Sequence, residues 1–152
     1  MEAICRMIRE RGMIPGLSTH MPETIVYADE TGLDVETYIS IYNSMGFLMQ
    51  VEVDWVAHII RNAHKPVLTI KPMAAGQLRP FQALTFVWNT IRPQDMVAVG
   101  TMSPKEAAEV IEISYRVKGF HHRSSGNPIQ GWRQGVRSDL TARPCAGARV
   151  GR

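Results

Sequence analysis

The chain has 152 residues, 45% of them apolar, which fits one ordinary globular domain and falls short of the about 250 residues of a complete (β/α)₈ barrel. No apolar run reaches membrane-spanning length, so we expect no transmembrane helix and no membrane partner. The net charge of +3 is uneven, because residues 1–118 carry 11 Lys+Arg against 13 Asp+Glu, and residues 119–152 carry six Arg against one Asp. The body therefore has no basic face, and we expect no nucleic-acid partner.

The first segment has the apolar spacing of a helix. Its apolar residues recur at intervals of three and four, at Ile4, Met7 and Ile8. We expect this helix to end at Arg11-Gly12, because glycine commonly follows the last helical turn. Met13 to Leu17 is a short apolar run that we interpret as a buried strand.

Helices and strands alternate along the rest of the body. A helix opens at Pro22, a residue suited to the first helical position, and precedes a predicted strand from Val35 to Tyr42. Further strands are predicted at Val67 to Ile70 and at Met96 to Val99. Two helices lie between these strands, with one-sided faces predicted at Val53, Val56, Ala57 and Ile60, and at Phe81, Leu84, Thr85 and Trp88.

The last predicted helix has a well-defined start. Ser103 and Glu106 have the spacing of a capping box, in which each side chain accepts a hydrogen bond from a free backbone N–H. Pro104 suits the first turn, and Glu112 and Arg116 are four residues apart, as in a helical ion pair.

Four strands, each followed by a helix, are typical of a parallel sheet. We predict an α/β fold over residues 1–118, specifically the C-terminal half of a TIM (β/α)₈ barrel, strands five to eight. An open four-stranded α/β sheet is the alternative. The half-barrel is favoured because polar residues follow the carboxyl ends of the strands, where barrels place their chemistry. A half-barrel leaves strand edges unpaired, so we also expect self-association through those edges.

Residues 119–152 have a different composition from the body. They are rich in Gly, Arg, Ser and Pro, and we predict a disordered tail because too little apolar surface is available for burial. A frame error or a truncated assembly would produce the same abrupt change. The two cysteines, Cys5 and Cys145, are far apart and lack metal-ligand spacing, which indicates a reduced, cytoplasmic setting.

Candidate ligand-binding residues follow each predicted strand. Gly100, Thr101 and Ser103 precede a helix whose free N–H groups could hold a phosphate, although they could also form a capped helix with nothing bound. Lys71 and Gly76 lie in a loop of small residues; the lysine could contact phosphate or form a structural ion pair.

The first two strands supply the other candidates. Ser18 and His20 could bind polar groups of a ligand, or His20 could cap the next helix. Asn43 could hydrogen-bond an amide or hydroxyl, or could simply start a loop. The apolar group Met45 to Met49 is expected to pack as a lid on the barrel mouth.

Together, the four strand ends resemble the C-terminal half of the aldo-keto reductase family. Gly16-Leu17-Ser18-Thr19-His20 stands where the family's fifth strand ends in Gly-x-Ser-Asn. The run from Lys71 to Gly76, Lys-Pro-Met-Ala-Ala-Gly, is similar to the family's Ser/Lys-Pro-Leu-x-x-Gly after strand seven. The run from Gly100 to Pro104 is similar to the glycine and helix start after strand eight. The resemblance covers residues 4–116.

The resemblance implies an NADP(H)-dependent oxidoreductase, with the cofactor phosphates near the last two loops. It also implies that the family's catalytic Tyr, Lys, Asp and His belong to the other half of the barrel, so that this chain carries cofactor contacts without the acid–base residues. Thr19 stands in place of the family's amide-binding asparagine. The alternatives are a fragment of a phosphate-binding TIM-barrel lyase or isomerase, and a non-catalytic fragment.

Overall fold

The computed structural model describes residues 1–119 of the chain. This part is an α/β structure with five α-helices and one four-stranded sheet, whose strands are all parallel. In chain order the elements are α1 (Glu2–Glu10), β1 (Gly16–Thr19), α2 (Glu23–Glu30), β2 (Thr37–Ile41), α3 (Val53–Asn62), β3 (Val67–Ile70), a 3₁₀ turn at Ala74–Gly76, α4 (Pro80–Thr90), β4 (Met96–Val97) and α5 (Pro104–Gly119). The parallel sheet and the alternating helices predicted from the sequence are confirmed. The tail predicted for residues 119–152 lies outside the described residues, apart from Gly119.

The strands lie in the sheet in the order of the chain, β1-β2-β3-β4. Their register aligns side chains in rows across the sheet, and partners in a row share a face. One row is Leu17, Tyr38 and Val67, all of which are buried. The adjacent row on the opposite face is Ser18, Ile39, Leu68 and Met96. Each strand therefore alternates between two different environments.

The main core covers only one face of the sheet. Leu17, Tyr38 and Val67 belong to one apolar cluster with buried residues of α1 to α4, such as Ile25 of α2 and Ile60 of α3. On the opposite face, Ser18 and Met96 are exposed and Ile39 and Leu68 are half-buried, while Ile41, nearer the carboxyl end, is fully buried. The helices thus pack against the Leu17 row and leave the Ser18 row open.

The first strand differs from its prediction. We expected a buried strand from Met13 to Leu17, but β1 begins at Gly16, and Met13 and Ile14 are exposed. The backbone N–H of Met13 instead donates to the carbonyl of Ile8 and closes the end of α1. The apolar composition of this run therefore does not reflect burial within the described residues.

The predicted face of α4 holds except at its first residue. Leu84 is buried and Thr85 and Trp88 are half-buried, but Phe81 is 65% exposed, and Ala83 and Val87 are buried as well. Phe81 lies in the first turn of the helix, ahead of the residues that reach the core. The ring of Trp88, also in α4, lies 4.2 Å below the ammonium of Lys118 in α5.

The start of α5 is capped nearly as predicted. The hydroxyl of Ser103 accepts a hydrogen bond from the N–H of Glu106 at 3.3 Å, as in a capping box. The carboxylate of Glu106, however, accepts from the N–H of Met102 at 2.7 Å. The predicted ion pair between Glu112 and Arg116 is present, with 2.5 Å between nitrogen and oxygen. No helix within residues 1–119 is long and apolar enough to cross a bilayer.

Candidate functional site

Two predicted ligand-binding residues meet at the carboxyl end of the sheet. His20 follows β1 and Lys71 follows β3, yet the Lys71 Nζ lies 3.2 Å from the His20 Nε2. Strand β2 separates β1 from β3, and neighbouring strands lie about 4.8 Å apart. The two side chains therefore span about 10 Å and meet above the end of β2. Both residues are exposed, so a ligand can reach them.

The chemistry of the two groups fixes which one can donate. A lysine ammonium has three donors and no acceptor, so the contact is a hydrogen bond in the His20 tautomer whose Nε2 accepts. Within residues 1–119, the Lys71 ammonium has no other hydrogen-bond or ion-pair partner. The pair thus offers one positive charge with unused donors to an approaching anion.

The loop that carries Lys71 has an unusual backbone. Lys71, Ala74 and Ala75 have φ values of 56°, 48° and 56°, in the left-handed region that side chains rarely adopt. Gly76, with φ of 87°, follows them. Each such non-glycine residue costs on the order of 1–3 kcal/mol, and strain of this kind clusters at ligand-binding sites. Three in one short loop therefore mark this segment as a candidate site.

Packing and hydrogen bonds hold this strained loop in place. Ala74 is fully buried in a second apolar cluster with Leu78 and Ala83, against which Phe47 and Met73 pack. The carbonyl of Lys71 accepts a hydrogen bond from the N–H of Ala74 at 3.0 Å. Phe47 comes from the loop after β2, so the cluster also joins two loops of the rim.

Asn43 has a structural role in the conformation described. Its side chain is fully buried, and its amide donates to the carbonyl of Phe47 at 3.0 Å. Its side-chain oxygen accepts from the N–H groups of Met45 and Phe47, at 3.2 Å and 2.9 Å. The predicted ligand contact by Asn43 stays a prediction, because here the side chain is used to hold its own loop.

The residues after β1 divide into two groups. Ser18 is exposed on the open face of the sheet, next to Ile39 of β2. Thr19, by contrast, accepts from the N–H of Met21 at 2.8 Å and lies 3.2 Å from the hydroxyl of Thr24. Thr19 therefore closes the turn into α2, which leaves Ser18 and His20 available to a ligand.

The last loop is less suited to an anion than its sequence indicates. Gly100 and Thr101 are exposed, and an added Cβ at Gly100 would meet no atom within 4 Å. Ser103 and the carboxylate of Glu106, however, already satisfy two N–H groups at the start of α5. An anion there would meet the negative charge of Glu106, so Lys71 is the stronger candidate for the contact.

The sequence did not reveal the left-handed backbone of Lys71. Pro72 follows it, and a residue before proline normally adopts an extended conformation, so the opposite conformation was expected. Leu48, exposed in the loop after β2, is left-handed as well, with φ of 55°. No sequence signal predicts a positive φ for a leucine or a lysine. The Lys71 loop itself was selected from its place after a predicted strand.

Residues 1–119 contain no group of three or more His, Cys, Asp and Glu side chains arranged to hold a metal ion. Comparison with known proteins found no matching family model, no similar curated protein and no similar solved structure.

Proposed function

We propose that this chain is the C-terminal half of an aldo-keto reductase-like (β/α)₈ barrel, and that its rim binds the phosphate of NADP(H). The observation that carries the proposal is the 3.2 Å contact between the Lys71 Nζ and the His20 Nε2. In such a parent, an NADP-dependent oxidoreductase, this half supplies cofactor contacts and the other half supplies the acid–base residues.

The chemistry of the pair suits a phosphate. A phosphate group presents several acceptor oxygens, and the Lys71 ammonium has donors to give without leaving His20. The pair lies at the carboxyl end of parallel strands, the end at which barrels bind their ligands. Two small residues of the same loop, Ala75 and Gly76, are exposed and leave space for a bulky group near the charge.

The arrangement of the sheet supports the barrel interpretation. In a doubly wound fold the strand order reverses, and helices cover both faces of the sheet. Within residues 1–119 the four strands follow the chain order, and the helices of the main core pack on the Leu17 face. The open face with Ser18, Ile39 and Leu68 corresponds to a barrel interior whose opposite wall comes from another four strands.

The proposal can be tested by titrating the chain with NADPH and with NADH and following cofactor fluorescence. Lys71→Ala should weaken NADPH binding about tenfold or more, because a charged hydrogen bond contributes about 1.5–3 kcal/mol. Lys65→Ala is the matched control. Lys65 precedes the same strand β3 at its opposite end, so its removal should leave the affinity unchanged.

A second variant probes the last loop. Gly100→Val should leave the fold intact, because the added side chain meets open space at its Cβ and the φ of Gly100 is not left-handed. If the phosphate extends to this loop, the valine should abolish binding. If neither dinucleotide binds while circular dichroism shows an intact fold, the reductase proposal is wrong. Binding of inorganic phosphate alone would then favour a phosphate-ligand lyase or isomerase.

A further inference from the structure

The helix α1 carries an apolar face that nothing covers within the described residues. Its helical spacing was recognised at Ile4, Met7 and Ile8, and of these Ile4 and Met7 are exposed, whereas Cys5 is the residue of α1 that is buried. Ile14, just ahead of β1, is exposed as well. Cys5 of α1 belongs to one apolar cluster with Leu17 of β1, which is a terminal strand of the sheet. Within residues 1–119, this border therefore has exposed apolar side chains and an unpaired strand edge.

The other border has the same character. β4 is the second terminal strand, and Met96 within it is exposed on the open face. In α5, the helix that follows β4, Ile111 and Tyr115 are exposed and lie one turn apart. Both borders thus combine a strand edge with apolar helix residues.

We propose that a second copy of this chain covers both borders and the open face at once. A two-fold axis parallel to the strands would place β4 of one copy beside β1 of its partner. The same rotation places the partner's β4 beside the first copy's β1. All eight strands would then be parallel and both edges paired, in the closed order of a barrel. Because the two contacts are equivalent, such an assembly stops at a dimer.

A second copy fits these surfaces better than a single added strand or helix. One added strand would pair with only one of the two edges and would leave the open face uncovered. The open face contains no ionisable side chain at Ser18, Ile39, Leu68, Ile70 or Met96, so two copies of it can meet without charge repulsion. The occupant must also supply an apolar opposing wall, which this same face provides.

The area is sufficient for a stable dimer. Six large side chains at the borders are between 42% and 75% exposed, namely Ile4, Met7, Ile14, Met96, Ile111 and Tyr115. A large side chain offers roughly 150–200 Å² when fully exposed, so these six present on the order of 500 Å². The strand edges and the half-buried rows of the open face add to this. The total approaches the about 800 Å² per partner that a stable interface buries.

This inference rests on the half-barrel of the proposed function, with a second copy in the place of the half that carries the acid–base residues, but it does not depend on the cofactor. It concerns the borders and the open face, whereas the Lys71–His20 pair lies in the loops above the strand ends. In a two-copy barrel both pairs would face the same mouth, because the strands of both copies point in the same direction. Failure of cofactor binding would therefore leave the dimer untouched, and failure of the dimer would leave binding testable.

Sedimentation equilibrium over a wide concentration range tests the assembly with the complete chain. One chain has a mass of 17.0 kDa, so the expected species is a dimer of twice that mass with no larger species at high concentration. A monomer with a sharp cooperative melt at all concentrations would overturn the proposal. Open-ended growth beyond the dimer would also overturn it, because it would show that the two edges do not close.

A matched pair of variants tests the surface. Met96→Lys puts a charge on the open face and should weaken dimerisation at least tenfold. Phe81→Lys is the control, because Phe81 is exposed in α4, on neither border, and should leave the dimer unchanged. Both positions are exposed in the single chain, so the variants should fold, as circular dichroism can check. An unchanged dimer with Met96→Lys contradicts the proposal.

Cross-linking tests which strands meet. In a Cys145→Ser background, a chain with both Ser18→Cys and Met96→Cys should be joined into dimers by a short bismaleimide, because β1 then faces the partner's β4. Chains with either cysteine alone should give far less dimer, since the two-fold places β1 against β4 and not against another β1. Equal yields from single and double variants would refute the edge-to-edge arrangement.

Discussion

The polar side chains at the two ends of the sheet differ in how many hydrogen-bond partners they have. At the amino end, the polar groups are paired with one another or with backbone carbonyls. The guanidinium of Arg92 donates to Asp95 and to the carbonyls of Ala63 and Lys65, and the hydroxyl of Tyr38 donates to Asp29 at 2.5 Å. At the carboxyl end, Lys71 and His20 are exposed on strained or irregular loops.

This difference separates stability from binding. Asp95 and Tyr38 are buried, and their side-chain oxygens are engaged in hydrogen bonds within the protein. They therefore fix the positions of strands and helices and are not accessible to a ligand. At the same end, Arg9 of α1 forms exposed ion pairs with Asp34 and Glu36. The hydrogen bond from Arg9 lowers the pKa of the Asp34 carboxyl. Barrels show the same division, with stabilising contacts at the amino end and chemistry at the carboxyl end.

The largest expected effect is at Asp95. Its carboxylate is buried and accepts hydrogen bonds from the N–H groups of Val67 and Arg92 and from the Arg92 side chain. Asp95→Ala should lower the free energy of unfolding by about 3–5 kcal/mol, because it leaves a half-buried guanidinium and two N–H groups without their acceptor. Urea denaturation followed by circular dichroism measures this loss.

An exposed ion pair provides the control for Asp95. Glu112 and Arg116 form an ion pair, as Arg92 and Asp95 do, but they lie on the surface of α5. Glu112→Ala should cost about 0.5 kcal/mol or less, since water already solvates both groups. Equal losses for the two variants would mean that burial at the amino end does not govern stability.

Asn43 is an exception within the carboxyl end and sharpens the comparison. It is buried and makes three hydrogen bonds to its own loop. Asn43→Ala should lower the free energy of unfolding by about 2–3 kcal/mol, because buried backbone groups lose their partners. Ser18→Ala, at an exposed neighbour, should change it by less than about 0.5 kcal/mol. A small effect at Asn43 would instead favour a ligand-binding role.

A substitution at Tyr38 should have a smaller effect on the free energy of unfolding, and this effect should depend on pH. Burial and the hydrogen bond to Asp29 raise the pKa of the Tyr38 hydroxyl above its ordinary value of about 10. Since the fold favours the protonated hydroxyl, its contribution is complete below about pH 10 and is lost as the pH rises through the raised pKa. Tyr38→Phe should cost about 1–2 kcal/mol at neutral pH.

The pH dependence checks the origin of that cost. The free energy of unfolding of the unaltered chain should fall as the pH rises above about 10, and Tyr38→Phe should show a smaller fall. Some loss should remain in the variant, because burial also raises the pKa of Tyr42. Identical alkaline profiles for the two proteins would show that Tyr38 does not contribute.

Much of the fold could be predicted because the strands and helices have distinct apolar periods. The strand Val67–Ile70 was predicted with the bounds that the structure shows, since Pro66 precedes it and Lys71-Pro72 follows. The prediction of a buried strand from Met13 was wrong because apolar residues are normally buried, whereas Met13 and Ile14 are exposed at a border of the described residues. The prediction for Phe81 was wrong because helical spacing does not say which turn of a helix reaches the core.

The candidate site was predictable only in part. Lys71 and His20 were selected separately, from their places after strands, and their contact depends on the sheet order, which places β1 and β3 on either side of β2. Asn43 accepts a hydrogen bond from its own loop, and Glu106 accepts one from the N–H of Met102. Both contacts depend on loop geometry that cannot be read from the spacing of residues in the sequence.

The smallest expected effect is a gain of stability in the strained loop. Ala75 is exposed and left-handed, with φ of 56°, a conformation that glycine adopts without a steric cost. Ala75→Gly should relieve about 1–3 kcal/mol of strain, partly offset by about 0.5–1 kcal/mol of added chain entropy in the unfolded state. The difference is a net gain on the order of 1 kcal/mol in the free energy of unfolding, which urea denaturation can measure.

The same substitution on an exposed helix should act in the opposite direction. Ala108 lies in α5 with ordinary helical geometry, so Ala108→Gly should lower the free energy of unfolding by about 1 kcal/mol. If the strain of the Lys71 loop serves ligand binding, Ala75→Gly should also weaken NADPH binding while the protein becomes more stable, because the loop is then less fixed around the charge. A variant that loses stability would show that the left-handed turn is not strained, and the amino and carboxyl ends would then differ in exposure alone.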